Sequence, residues 1–138
     1  MKAVRRGSIM LRIGMFIIFI AVLVMVSSAD QSVESFVGDA ERGAEIFRLG
    51  TNGAPACAGC HLTRPMLSRV MVAPNLSGFA KRAAGRVEGL SAHDYAFASI
   101  TDPSGFVVDG FRNVMYPDYA DRLSAQDIAD LIAFLMTL

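Results

Sequence analysis

The sequence has few residues that bind metals or form disulfide bonds. It contains two cysteines, Cys57 and Cys60, and two histidines, His61 and His93. A closed zinc site has four ligands, so one built on the first three of these residues would depend on His93. A thioredoxin-like redox pair needs strands alternating with helices, and no run of this sequence alternates as strands do. A structural disulfide between the two cysteines remains an alternative on these grounds alone.

A surplus of basic residues is also missing. From Asp30 onward the chain has nine Lys/Arg against thirteen Asp/Glu, a formal charge of −4 with histidine neutral. A protein that binds nucleic acid needs a basic face to neutralise the phosphates. The composition therefore predicts no nucleic-acid partner.

The first 29 residues contain no acidic side chain, and four basic residues precede an unbroken apolar run at residues 13–26. This arrangement is typical of a secretory signal cleaved after Ala29, or of an uncleaved membrane anchor that spans residues 9–26. We favour the anchor, which would be an N-terminal apolar helix. Both interpretations carry the rest of the chain across the membrane and leave the basic end in the cytoplasm. The predicted location is the extracytoplasmic (periplasmic) face of the cell membrane.

Beyond residues 1–29 and a polar tether at residues 30–38, the pattern is helical. Apolar spacing together with start and stop signals predicts helices over residues 39–49, 91–101 and 124–137. No internal repeat divides the remainder, so we expect a single domain at residues 39–138. The predicted fold class is all-α.

Two of the predicted helices carry a start signal called a capping box. Ser91 with Asp94, and Ser124 with Asp127, place a hydroxyl and a carboxylate three residues apart. In each case an apolar residue before the serine is spaced to contact one in the first turn. These signals predict that the second and third helices begin at the two serines.

Long stretches interrupted by glycine and proline lie between the helices, at residues 62–77 and 102–123. Loops of this length are unusual in a compact domain unless something organises them. A buried cofactor would do so, and it would add to a core that is small in a domain of this size.

The segment from Cys57 to His61 reads CAGCH and matches the C-x-x-C-H pattern of covalent c-type haem attachment. Two thiols on one tight turn can bond the two vinyl positions of a porphyrin, and the histidine that follows then lies under the ring. We therefore predict one covalent haem c, with thioethers from Cys57 and Cys60 and with His61 as an axial ligand of the iron.

With this motif the chain from residue 39 onward resembles the class I cytochromes c. Gly43 and Phe47 are similar to the family's glycine–aromatic pair on its first helix. Phe134 is similar to the aromatic residue on the last helix that crosses the first. The resemblance implies the cytochrome c fold, in which three main helices and long loops surround one haem.

Residues 73–76 (APNL) resemble the family's G-P-x-L segment, with Ala73 in place of the usual glycine. The resemblance implies that the Pro74 carbonyl accepts a hydrogen bond from the haem-ligating histidine. Such a bond selects the tautomer of the histidine and raises its basicity as a ligand.

The resemblance also implies a methionine as the second axial ligand. The family places it in the loop before the last helix, usually as Met-Pro, and Met115 lies there with Tyr116 between it and the proline. His93 is a rival ligand, but its place in the first turn of a capped helix favours an exposed surface position. The other methionines after residue 29 are Met66, Met71 and Met136.

Several apolar and aromatic residues are candidates to line the haem. Two arginines, Arg86 and Arg112, are candidates to pair with its propionates. The lining candidates are Phe79, Phe97, Ile100, Phe106, Val107, Tyr116 and Leu131.

These features predict one-electron transfer between membrane-associated redox partners. With both axial positions of the iron filled there is no place for a small-molecule substrate, so we expect a carrier and not an enzyme. A basic docking patch for protein partners is expected from the residues that cluster between the motif and the second helix. They are Arg64, Arg69, Lys81, Arg82 and Arg86.

Two alternatives remain open. The chain could be a fixed monohaem subunit of a larger quinol-oxidising or terminal-oxidase membrane complex. An enzyme or gas sensor with an open iron site would require the methionine ligand to be missing or labile.

Overall fold

The computed structural model describes residues 36–65 and 72–138. Within them five α-helices and one 3-10 turn appear, together with a single isolated β-bridge and no strand. This confirms the all-α prediction. The helices are α1 (Ala40–Leu49), α2 (Phe79–Ala83), α3 (Ala92–Thr101), α4 (Tyr119–Arg122) and α5 (Ala125–Leu135), and the 3-10 turn is Cys57–Gly59.

Several predictions lie outside the described residues. They are the apolar helix and membrane anchor at residues 9–26, the signal or anchor at residues 1–29 and most of the tether. Met66, Arg69 and Met71 are outside them as well. Within the described ranges no helix is both long enough and apolar enough to cross a membrane.

The first and last helices, α1 and α5, pack closely against each other. A Cβ atom on Gly43 would overlap the backbone carbonyl of Asp130, so only glycine allows this approach. Further along the crossing the ring centroids of Phe47 and Phe134 lie 5.3 Å apart, and the two ring planes are tilted by 53°. Aromatic pairs in this geometry stabilise a contact beyond the area they bury.

A polar network closes one end of the same crossing. The Arg42 guanidinium donates from Nε to Asp130 Oδ2 at 2.7 Å and also binds Asp127. The Asp39 amide and the Gln126 side chain donate to Asp130 Oδ1 at 2.8 and 2.7 Å. Both carboxylate oxygens of Asp130, which is fully buried at 0% exposure, are therefore hydrogen-bonded, as a buried charge requires.

The predicted helix starts agree with the structure to within one residue, and the two capping boxes differ. At Ser124 the hydroxyl accepts the Asp127 amide, and the Asp127 carboxylate accepts the Ser124 amide at 3.0 Å. At Ser91 the hydroxyl accepts the Asp94 amide at 3.1 Å but donates to the Asp94 carboxylate at 2.6 Å. In the Ser91 box the Asp94 carboxylate therefore accepts from the serine hydroxyl instead of the serine amide.

Two short helices, α2 and α4, were not predicted. They have five and four residues, which is too short for an apolar period to show in the sequence. Buried side chains from all five helices meet in one core, including Ile46, Phe79, Ala96, Tyr119 and Leu131. The core places α2, α3 and α4 around a cavity.

Candidate cofactor site

A cavity of about 470 Å³ lies among the helices, within the size range of ligand pockets in proteins. Its walls are mostly apolar and come from all five helices and from the loops at residues 72–76 and 103–117. The cavity thus occupies the place where the sequence predicted that a cofactor organises the loops.

Cys57, Cys60 and His61 all lie on the wall of this cavity. The 3-10 turn folds the motif tightly, because the amides of Cys60 and His61 donate to the Cys57 carbonyl at 3.1 and 3.0 Å. Both thiols are free in the structure. One turn therefore presents two thiols and an imidazole to the same space.

The imidazole of His61 is fixed by Pro74. Its Nδ1 lies 2.8 Å from the Pro74 carbonyl oxygen, and because a carbonyl only accepts, Nδ1 is the nitrogen that carries the proton. Burial lowers the pKa of His61, and the hydrogen bond to Pro74 opposes this in part. The ring is therefore neutral near pH 7 with a lone pair on Nε2, the form that binds a metal.

Neighbours that sequence reasoning missed hold the Pro74 segment in place. The Asn75 side chain donates to the Arg64 carbonyl at 2.9 Å and accepts the Ser77 amide at 2.8 Å. The Leu76 amide donates to the Leu62 carbonyl at 2.7 Å. These bonds connect residues 62–64, which follow His61, to the segment around Pro74. No residue spacing in the sequence predicts them.

Met115 lies on the cavity and is partly buried against the core. Met136, the other methionine in the described ranges, does not line it. His93 is 63% exposed on the surface beside Asp94 and does not line it either. Of the described candidates for a second axial ligand, the structure therefore brings Met115 alone to the cavity.

The predicted lining residues divide into two groups. Phe97 is 49% exposed on the surface of α3 and does not line the cavity, so its prediction as a pocket residue is wrong. The buried side of α3 runs through Ala96 and Ile100, and successive helical residues point about 100° apart. The candidates that do line the cavity are Phe79, Ile100, Phe106, Val107, Tyr116 and Leu131.

The charged side chains on the cavity are all basic. Arg82, Arg86 and Arg112 line it, and no Asp or Glu is among the described residues that do. Arg82 also donates to the Asn75 carbonyl at 2.6 Å. Of the predicted docking patch, Arg64 and Lys81 are exposed outside the cavity. The three arginines on the cavity wall are therefore available to pair with the carboxylates of a ligand.

Tyr119 is a second residue that sequence reasoning missed. It is 6% exposed, lines the cavity, and donates its hydroxyl to the Pro55 carbonyl at 3.1 Å. Burial raises the pKa of the Cys57 thiol, and the neighbouring Tyr119 hydroxyl opposes this in part. Burial likewise raises the pKa of Tyr119, with Cys57 adding to the rise. The tyrosine therefore stays protonated and able to donate.

These residues fit a haem held through two thioethers. Two free thiols, an imidazole with an available Nε2, an apolar cavity and basic side chains are the groups that such a cofactor needs. A site for a bare metal ion is a different matter. No cluster of three or more His, Cys, Asp or Glu residues in the described part of the chain could hold one.

The chain was compared with models of protein families and with curated proteins. The family model described as Cytochrome c matches residues 40–138. A search of curated proteins finds no relative that matches significantly.

Proposed function

This chain belongs to the cytochrome c family, and we propose that it carries single electrons through a covalent haem c ligated by His61 and Met115. The family binds haem c covalently, and Cys57 and Cys60 fit its attachment motif. Haem-based electron transfer follows from the family. The ligand pair is our proposal, and the observation that carries it is that all four side chains line one cavity.

The haem and the residues around the cavity would contribute to electron transfer in different ways. Haem supplies one-electron exchange between ferrous and ferric iron. His61 is held by Pro74 at 2.8 Å, so its Nε2 is presented without a search for orientation. The apolar walls would exclude water from the bound haem, and the thioether of Met115 would raise its reduction potential relative to a second nitrogen ligand. Arg86 and Arg112 line the same cavity and would pair with the propionates.

Members of the family are generally electron carriers, and we propose the same for this chain. A carrier needs no substrate pocket, and His61 and Met115 would fill the positions on the iron where a substrate could otherwise bind. We also propose that its redox protein partners lie at the extracytoplasmic face of the membrane. The apolar run at residues 13–26 behind a basic end supports this location.

The ligand pair is tested by replacing Met115. The Met115→Ala protein should lose the sulfur-to-iron charge-transfer band of the oxidised spectrum completely, since that band requires a bound thioether. Its reduction potential should fall, because methionine ligation raises it. Absorption spectroscopy and redox titration of the haem-loaded protein measure both.

Met136→Ala is the matched control, because it removes a methionine that does not line the cavity. It should retain both the band and the potential. A Met115→Ala protein with an intact band would show that another residue binds the iron. Carbon monoxide binding to the reduced wild-type protein at neutral pH would point instead to an open iron site.

A further inference from the structure

The hydroxyl of Tyr119 joins two segments that are far apart in the chain. It donates to the Pro55 carbonyl at 3.1 Å, across 64 residues. Pro55 lies two residues before Cys57, and Tyr119 lies four residues after Met115 and begins α4. One hydrogen bond therefore connects the turn that carries the thiols to the loop that carries the methionine.

The Met115 loop has few other ties of this kind. Within the described residues, the hydrogen bonds made by positions 111–118 are all local. The Phe111 amide donates to Val108, the Val114 amide to Arg112, and Asp118 accepts the Asp121 amide. The loop is consequently held by packing and by the hydrogen bond that Tyr119, at its downstream end, donates to Pro55.

Tyr116, the residue that follows Met115, packs against Tyr119. The Tyr116 ring contacts the Tyr119 ring edge-on, with centroids 5.1 Å apart and planes at 76°. Tyr119 itself is buried, and both Met115 and Tyr116 pack against the core. A ring held at one point by its hydroxyl is a firmer support for its neighbours than one free to slide.

We propose that Tyr119 is a positioning residue that keeps Met115 bound to the iron by tying its loop to the haem-attachment turn at Pro55. This inference rests on the proposed ligation by His61 and Met115. It assigns the effect to the hydroxyl, because phenylalanine would keep the ring and its packing. Loss of the bond increases the fraction of molecules in which the methionine has left the iron.

The test uses Tyr119→Phe in the full-length, haem-loaded protein, with imidazole as the probe. Imidazole binds the ferric iron only where the methionine has left, so its apparent affinity reports the open fraction. Loss of one hydrogen bond should raise that fraction, and lower the apparent Kd for imidazole, about fivefold to tenfold. The charge-transfer band follows the binding, and the reduction potential should fall in parallel.

Ser124→Ala is the matched control for general loss of stability. It removes the cap of α5, away from the cavity, and should leave the imidazole Kd unchanged while lowering the melting temperature. Circular dichroism verifies that both variants are folded.

The possible failures are distinguishable. An unchanged Kd in Tyr119→Phe, with a wild-type band present, would overturn the positioning role and leave the ligand pair intact. An equal decrease in Ser124→Ala would also overturn it, since the effect would then be one of stability. A wild-type protein without the band would refute the ligation by Met115 first.

Discussion

At the scale of single residues, Asp130 illustrates how burial and hydrogen bonding compete. Burial alone would raise the pKa of this carboxyl. Hydrogen bonds from the Asp39 amide and the Gln126 and Arg42 side chains outweigh burial, so the pKa lies below the ordinary value of 3.8. Asp127 follows the same pattern with Ser124 and Arg42 as donors. Both carboxylates therefore remain ionised in the folded protein.

The lowered pKa predicts acid sensitivity. A carboxyl whose pKa is lower in the folded state contributes stability above its unfolded pKa, and the contribution is lost as pH falls through the folded pKa. The wild type should therefore lose stability below about pH 4 by taking up protons on unfolding. In Asp130→Asn the uptake should be smaller, by at most one proton, because the carboxyl whose pKa is lowered in the folded state is gone. Urea unfolding at a series of acidic pH values measures the slope.

Asp109→Asn, which removes a carboxylate from an exposed loop, is the matched control for the loss of one negative charge. Equal slopes in the wild type and Asp130→Asn would mean that this carboxylate titrates alike in the folded and unfolded chain. That result would contradict the stabilising role given to its hydrogen bonds.

At the scale of elements, the crossing of α1 and α5 depends on Gly43. Glycine inside a helix costs about 0.5–1 kcal/mol relative to alanine, so its presence here needs a reason. The reason is the close approach of the two backbones, which leaves no room for a Cβ against the Asp130 carbonyl and the Leu131 amide. The local preference for alanine is overruled by the packing of two helices.

We expect Gly43→Ala to destabilise the protein by about 2 kcal/mol, the usual effect of overpacking a rigid contact. The helices must separate, because the obstructing atoms are backbone and cannot rotate away. Thermal and urea unfolding measure the change. Gly85→Ala, where a new Cβ would meet nothing within 4 Å, should change stability by less than about 0.5 kcal/mol. Equal effects in the two variants would refute the packing argument.

At the scale of the whole molecule, residues 1–29 bear on the location of the protein, and the domain bears on its cofactor. The domain holds the cavity, whereas the first 29 residues contain the apolar run that predicts the location. A retained anchor would confine the carrier to the membrane surface and restrict its partners to proteins there. A cleaved signal would release it to diffuse.

Intact mass of the protein purified from membranes decides between these two. We expect a mass that retains residues 1–29 and includes one haem, in the membrane fraction. As a control, a variant with a cleavable signal in place of residues 1–29 should appear in the soluble extracytoplasmic fraction. A wild-type mass that lacks residues 1–29 would contradict the anchor. Co-purification with other chains through high salt would favour the fixed-subunit alternative over a free carrier.

Local patterns were predictable because they depend on neighbours in the chain. The attachment motif occupies five consecutive positions, so the sequence alone predicted the haem c and the three residues that would bond to it. The capped starts of α3 and α5 were predictable for the same reason, since a serine and an aspartate three residues apart meet whatever the rest of the chain does. Pro74 was identified only through the family resemblance, and the structure shows its bond to His61.

Tertiary structure decided the features that need contact between distant segments or the rotation of a helix. Phe97 lies on the surface because the elements that pack on α3 determine which face of the helix is buried. The sequence of a weakly amphipathic helix does not indicate that face. Tyr119 meets Pro55 across 64 residues, and Arg42 meets Asp130 across 88. The sequence by itself determined the cofactor, the helical class and the principal caps. Only folding decided how the methionine loop is anchored, because that depends on distances no local pattern encodes.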